Sequence, residues 1–297
     1  MISRNISRKF ALLLALLFAA SPALADLKVV VLGVTSEMDV IERWAGIEST
    51  EINATPQARS FRIEKSDVTV IAPSPSASLP DLATTLHGAD VAVIVMDATQ
   101  GPLPSLRDHV IIARQTRAPL VTMMLANVDL LWKLAPEDAR ELLDLEEEEF
   151  LSVLSLYEMG DAGTPLFHDT ARANRAPTSA TGGLKAIGQY FANRGNARQA
   201  APAITSQRNA LAQVYFLADA EANGHGINRA KEWSLELWTE GSSMVVDVYG
   251  ADVYGPADVG AVDIASAEPF LAYEGSRFLL FDGGHLVGLG VMDTLGD

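Results

Sequence analysis

The feature that most constrains this chain is a set of apolar runs that do not alternate. Leu27–Leu32 (LKVVVL), Val68–Ala72 (VTVIA), Ala89–Met96 (ADVAVIVM) and Leu120–Leu125 (LVTMML) are of strand length and rich in valine and isoleucine or other large apolar residues. A strand with one wet face alternates apolar and polar residues. A run that is apolar at nearly every position must be covered on both faces, as in a parallel sheet packed between helices. The segments between the runs agree. Leu106–Arg117 is preceded by Pro102 and Pro104 and stopped by Pro119. Pro136–Tyr157 opens with Pro136, Glu137 and Asp138, a favourable first turn. It also sets Leu143, Phe150, Leu154 and Tyr157 on one helical face. The acidic run Glu146–Glu149 lies inside this helix and reads as a solvated face. Strand and helix alternate, which predicts one doubly wound α/β domain over residues 26–194.

The pattern then changes. Residues 195–206 (GNARQAAPAITS) are small and polar and read as a linker. Beyond them, Ala212–Leu217, Glu232–Trp238, Met244–Tyr249, Gly260–Ile264, Arg277–Phe281 and Leu286–Met292 are short β-like runs separated by turn residues. Trp233, Leu235 and Leu237 alternate with Ser234, Glu236 and Trp238, the pattern of a half-buried strand. Six such strands over residues 207–297 predict a small all-β barrel or sandwich. Trp238 falls on the outer face of its strand, where it marks either a partner contact or packing against the neighbouring domain.

At the amino terminus, Arg4, Arg8 and Lys9 precede an uninterrupted apolar run, Phe10–Ala20. Ser21-Pro22 breaks that run, and Ala23-Leu24-Ala25 offers small residues before Asp26. This order predicts a signal peptide over residues 1–25 and a periplasmic or secreted mature chain. The rival reading is an uncleaved anchor, but the run is short of the roughly 20 residues that a bilayer core requires. The whole chain carries a net charge of −16. Removing residues 1–25 takes away three bases and no acid, leaving 19 bases against 38 acids, or −19. Such a charge repels a phosphate backbone, so nucleic acid and, after cleavage, anionic membranes are not expected partners. There is no cysteine, so neither disulfide nor thiol chemistry is available.

A strand that ends in glycine and opens an α/β domain raises the possibility of a phosphate loop. Such a loop needs further glycine to turn backbone N–H groups on the phosphates, a lysine for their charge and a Ser/Thr for Mg²⁺. After Gly33 the chain reads VTSEMDV, with Glu37 and Asp39 and no lysine. None of the histidines His87, His109, His168, His225 and His285 pairs at metal-ligand spacing. No serine has a Gly-x-Ser-x-Gly setting. His168-Asp169 has no nucleophile near it in sequence.

Other motifs carry a family likeness. Gly101-Pro102-Leu103-Pro104, Arg107-Asp108-His109, Arg114-Gln115, Ala118-Pro119-Leu120, Glu141-Leu142-Leu143, Tyr157 with Gly160-Asp161, and Thr164-Pro165 resemble the GTPase domain of elongation factor Tu. Val214-Tyr215, Arg277-Phe278, Gly283-Gly284 and Val287–Val291 resemble strands of that family's third domain, a β-barrel. The resemblance implies a P-loop-GTPase-like doubly wound sheet followed by the barrel, with the family's middle barrel missing. The nucleotide motifs are degenerate. The family's Gly-Lys-Thr falls on Met38-Asp39-Val40. Its Asp-Cys-Pro-Gly-His, which includes the catalytic histidine, falls on Ile71-Ala72-Pro73-Ser74-Pro75. Its Asn-Lys-Cys-Asp falls on Ala126-Asn127-Val128-Asp129, and its Ser-Ala loop near Asp169-Thr170-Ala171.

Only Gly33 and Asp129 remain as vestigial nucleotide-binding positions. Asp129 either pairs with a guanine edge or caps the segment after the strand end. His285 replaces an arginine near the family's tRNA contact, and reads as an altered contact surface or as a turn residue. The expectation is an exported pseudo-GTPase without catalytic residues, metal or cofactor, which binds a protein partner outside the cytoplasm. The alternative is a nucleotide-binding protein or weak GTPase. Export has a direct check: amino-terminal sequencing of the protein recovered from a periplasmic or secreted fraction should begin at Asp26. Recovery only as full-length chain in the membrane or cytoplasm would refute it.

Overall fold

The computed structural model describes residues 27–33, 50–54, 58–63, 66–74, 76–101, 104–160, 164–168, 187 and 202–296. The expected signal peptide, most of the loop after Gly33, and Asp169-Thr170-Ala171 lie outside them. The first domain is a seven-stranded sheet. Its strands are β1 (Leu27–Gly33), β2 (Thr50–Ala54), β3 (Ala58–Ile63), β4 (Ser66–Ile71), β5 (Val91–Asp97), β6 (Leu120–Ala126) and β7 (Leu166–His168), in the order β2-β3-β4-β1-β5-β6-β7. From β4 to β7 all neighbours are parallel, while β2 and β3 form an antiparallel edge on β4.

The non-alternating runs have the predicted cause. In β5, Ala92, Ile94 and Met96 enter one core, whereas Val91, Val93 and Val95 enter the core on the opposite face. The helices that cover the first face are α1 (Leu79–Leu86), α2 (Leu106–Gln115), the short α3 (Val128–Leu131) and α4 (Pro136–Leu156). Ser78 caps α1: its side chain accepts from the Asp81 N–H and Asp81 answers to the Ser78 N–H, a capping box. Lys28 at the start of β1 donates to the Thr85 and His87 carbonyls, both at 2.8 Å, and so ties the end of α1 to the sheet. Helix α2 stops at Gln115, two residues before the predicted end. Arg117 takes a left-handed conformation (φ 61°), and the Ala118 N–H returns to the Ala113 carbonyl.

The second domain is a closed six-stranded antiparallel barrel: β8 (Thr205–Phe216), β9 (Ala230–Thr239), β10 (Ser242–Tyr254), β11 (Val259–Ala272), β12 (Arg277–Asp282) and β13 (His285–Gly296). All six predicted strands are present and longer than read, and closure decides for barrel over sandwich. Strand β8 begins at Thr205, inside the span read as linker, because Thr205–Gln207 pair with Phe270–Ala272. The interior is filled by residues such as Phe216, Leu235, Leu237, Val248, Ile264, Phe278 and Leu280.

Trp238 points out of the barrel as its alternation requires, yet it is only 1% exposed. It lies in the same core as α1 and α2, with Leu279, Phe281, Leu286 and Leu289. Its Nε1–H donates to Thr84 Oγ1 at 3.2 Å, and His87 meets its ring edge-on at 6.0 Å. Of the two readings of Trp238, packing against the neighbouring domain is the one observed, and the partner-contact reading is corrected: its side chain is covered by the α/β domain of the same chain. Polar links seal the seam. Gln115 donates to the Phe278 and Gly290 carbonyls at 3.0 and 3.3 Å, Arg277 to the Arg114 carbonyl at 2.7 Å and Asn223 to Asp108 at 3.0 Å. Truncating a fully buried tryptophan typically costs about 3–5 kcal/mol. Trp238→Ala should lower the urea midpoint accordingly, whereas removing an exposed partner-facing tryptophan would leave it unchanged.

Candidate functional site: the strand-end crevice

In an open α/β sheet, ligands bind beyond the carboxyl ends of the strands where the strand order reverses. Here the chain places β4 on one side of β1 and β5 on the other, so the crevice opens beside Gly33. Gly33 sits at φ +112°, and a Cβ there would lie 2.2 Å from the Val95 carbonyl oxygen. The glycine is thus required by the close approach of β1 to β5. The loop after it, with Glu37, Asp39 and the Met38-Asp39-Val40 match, lies outside the described residues.

The described rim consists of Ala72–Ser74 after β4, Asp97–Gly101 after β5 and Ala126–Asp129 after β6. Asp97 organises it. Its carboxylate accepts from the Thr99 N–H at 2.8 Å, the Thr99 hydroxyl at 2.7 Å, the Gln100 amide at 3.3 Å and the Asn127 amide at 2.9 Å. Burial works to raise its pKa, but the hydrogen bonds from Thr99, Asn127 and Gln100 outweigh burial and hold it below the usual carboxylate range. Both oxygens are committed to fixing the loop and are poorly placed to take up a metal ion. Asn127 reaches Asp97 from a left-handed conformation (φ 61°, ψ 22°) at the start of α3. Two residues on, Asp129 is exposed to solvent.

Beneath this rim lies Glu146 of α4, only 5% exposed. An added Cβ at Gly101 would stand 3.5 Å from its Oε1, and its Oε2 has no hydrogen-bond partner among the described residues. Burial first, then repulsion from Glu149 and Asp97, pushes its pKa up to about 7. The reading of Glu146–Glu149 as a solvated face is therefore corrected at its first residue. The i, i+4 spacing of Glu146 with the core residue Phe150 is the signal that could have found it. Asp97 also escapes sequence reasoning, although a charge closing a seven-residue buried strand is conspicuous.

The remaining candidates disperse. His168 is fully buried and pairs with Glu147 Oε1 at 2.8 Å. His109 is buried in α2, and burial lowers its pKa to about 4. His285 is exposed at the first position of β13, directly after the Gly283-Gly284 turn. It stacks on His225, with centroids 3.5 Å apart and planes at 10°, a pairing that nothing in the spacing announces. The sheet topology thus brings Gly33 and Asp129 to one rim but leaves Trp238 in the interdomain seam. Among the described residues no cluster of His, Asp and Glu could hold a metal ion. The rim positions named above carry Asp97 and Asp129, with Glu146 below, and no lysine or arginine.

No protein-family model matches the chain. Among solved structures it is similar to translation elongation factor SelB from Methanococcus maripaludis. The apo form aligns with a TM-score of 0.58 at 10% identity, over 91% of this chain and 80% of that one. The complex with the GTP analogue GppNHp gives 0.59 at 10% identity, over 92% and 80%. At this identity the likeness establishes the fold alone: a sheet-and-helix domain followed by a β-barrel.

Glu146 has a pH signature. Its folded pKa stands above the ordinary carboxylate value, so the folded state holds the proton more tightly. Its contribution to stability is then full below about pH 4.5 and is lost as pH rises toward about 7. Glu146→Gln should remove that decline, raising stability at pH 8 by on the order of 1 kcal/mol after allowance for solvent screening. Chemical denaturation at pH 5 and pH 8 measures it; equal effects at both would refute the assignment.

Proposed function

We propose that this chain is an exported, non-enzymatic pseudo-GTPase that serves as a binding or scaffold module outside the cytoplasm. The observation that carries the reading is the charge of the strand-end crevice. A nucleotide site on this fold neutralises phosphates with a lysine, backbone N–H groups and Mg²⁺. The described rim offers Asp97, with Glu146 beneath it, and the adjacent sequence offers Glu37 and Asp39. Asp97, Glu37 and Asp39 repel a triphosphate, and Glu146 adds to them as it ionises around pH 7. The degenerate motifs support the same reading, as does an amino terminus patterned for secretion. A protein partner recognised by an acidic surface is the expected ligand class.

A second reading is a nucleotide-binding protein or weak GTPase. The specific observation in its favour is that Asp129 is exposed at the first turn after β6, where its carboxylate is open to a base edge. One titration separates the two. Calorimetry of the mature chain with GTP and GDP, with and without Mg²⁺, should show no binding up to millimolar nucleotide. Micromolar affinity, or slow GTP turnover abolished by Asp129→Ala, would overturn the scaffold reading and establish the second.

A further inference from the structure

The chain's positive charge is not evenly spread. Where α2 ends against the barrel, the interdomain seam opens into a cavity of about 570 Å³ lined by Arg114, Arg117, Arg277, Ala118, Met159 and Val291. Three guanidinium groups therefore converge on one hollow of a chain whose net charge is −16. Among the described residues no carboxylate lines it.

Convergence of like charge is costly unless something offsets it. Desolvation, and then repulsion from Arg114 and Arg117, weaken the hold of Arg277 on its proton. Structural duty accounts for only part of the set. Arg277 donates to the Arg114 carbonyl at 2.7 Å and Arg117 to the Gly275 carbonyl at 2.8 Å, with the Arg117 guanidinium 5.1 Å above the Tyr273 ring. Each of those groups retains further N–H donors. Arg114 contributes only its carbonyl to the seam: its guanidinium makes no hydrogen bond or ion pair among the described residues. Arg117, moreover, holds a left-handed backbone (φ 61°) at the position after a helix where glycine is the unstrained choice. That conformation sets an arginine on the cavity wall.

We propose that this cavity is a binding site for a small phosphate-bearing ligand, a phosphate monoester or diphosphate with a compact apolar body. Guanidinium forks match the oxygens of a phosphate and form charge-assisted, bidentate hydrogen bonds to it. The volume lies in the range of small-molecule sites. Ala118, Met159 and Val291 supply an apolar wall against which the rest of the ligand packs. The site stands apart from the strand-end crevice and does not depend on the function proposed for it.

The test is calorimetry of the mature chain at low ionic strength with inorganic phosphate, pyrophosphate and phenyl phosphate. One site should be found for each probe, weakening as NaCl is raised. Arg114→Gln should reduce affinity at least tenfold without lowering the melting temperature of the unliganded protein, because it also relieves repulsion on Arg277. Arg117→Gln should cause a comparable loss, and serves in place of Arg114→Gln if that variant does not fold. Arg229→Gln, which removes an exposed arginine paired with Asp258 on the barrel, should change nothing. No binding at millimolar probe would overturn the proposal. So would binding indifferent to Arg114 and Arg117, or an equal loss in Arg229→Gln, which would signify diffuse attraction rather than a site. Stronger binding of phenyl phosphate than of inorganic phosphate would place the apolar wall in contact with the ligand; the reverse would refute that part.

Discussion

The structure depends on α2 being covered twice. One side of the helix lies on the sheet, and the other meets the outer surface of the barrel at β12, which contributes Leu279 and Phe281 to the shared core. A helix so enclosed keeps only a narrow, half-buried stripe for polar residues, occupied by Arg107 and Arg114. Asp108, His109 and Gln115 are accordingly all buried, and each is handled differently. Gln115 becomes the bolt of the seam by donating to two barrel carbonyls. His109 stays neutral because burial disfavours its cation. Asp108 is pushed up to about 6 by burial, against the countervailing pull of Arg107 and Asn223. Buried polar groups are expensive unless satisfied. Gln115 and Asp108 each hydrogen-bond across the seam and so set how the domains meet, whereas Asp108 Oδ1, His109 Nδ1 and Gln115 Oε1 have no hydrogen-bond partner among the described residues.

That enclosure explains which parts of the fold are legible in advance. β1, β4, β5 and β6 announce themselves because each has two dry faces, and periodicity registers dryness directly. The barrel strands announce themselves through turns. β2 and β3 do not: they are an antiparallel edge pair whose sequence (TEINATPQARSFRI) contains no apolar run. α1 escapes because eight residues give too little periodicity, although Ser78 and Asp81 form a capping box that could be sought. Trp238 shows the limit most plainly. Alternation places its side chain on the correct face of the strand but cannot say what covers that face, because the covering helix, hydrogen-bonded through Thr84, lies 154 residues away in the chain.

The candidate sites divide in the same way. Gly33 and Asp129 are legible because they fall at strand ends, where the fold itself concentrates function. Glu146 and the His225–His285 stack are not, because each depends on where another element comes to rest. The arginines show this at its strongest. Arg114 and Arg117 lie near one another on a helix end, Arg277 lies far along the barrel, and only domain docking joins them.

Charge therefore has a geography that composition conceals. A uniformly acidic chain would repel anions everywhere. This one gathers carboxylates at the end of the sheet, where the fold offers an anion site, and guanidinium groups at the seam between domains. The two arrangements have different energetic characters. Asp97 is saturated by four donors and is satisfied as it stands. Arg114 has no partner for its charge among the described residues and stands beside two more cations, so the seam gains free energy from any anion that enters. A site that is already satisfied stabilises the protein, and one that is not favours a ligand. By that criterion the seam is the better place to look for small anions, even though the sheet end carries the family likeness.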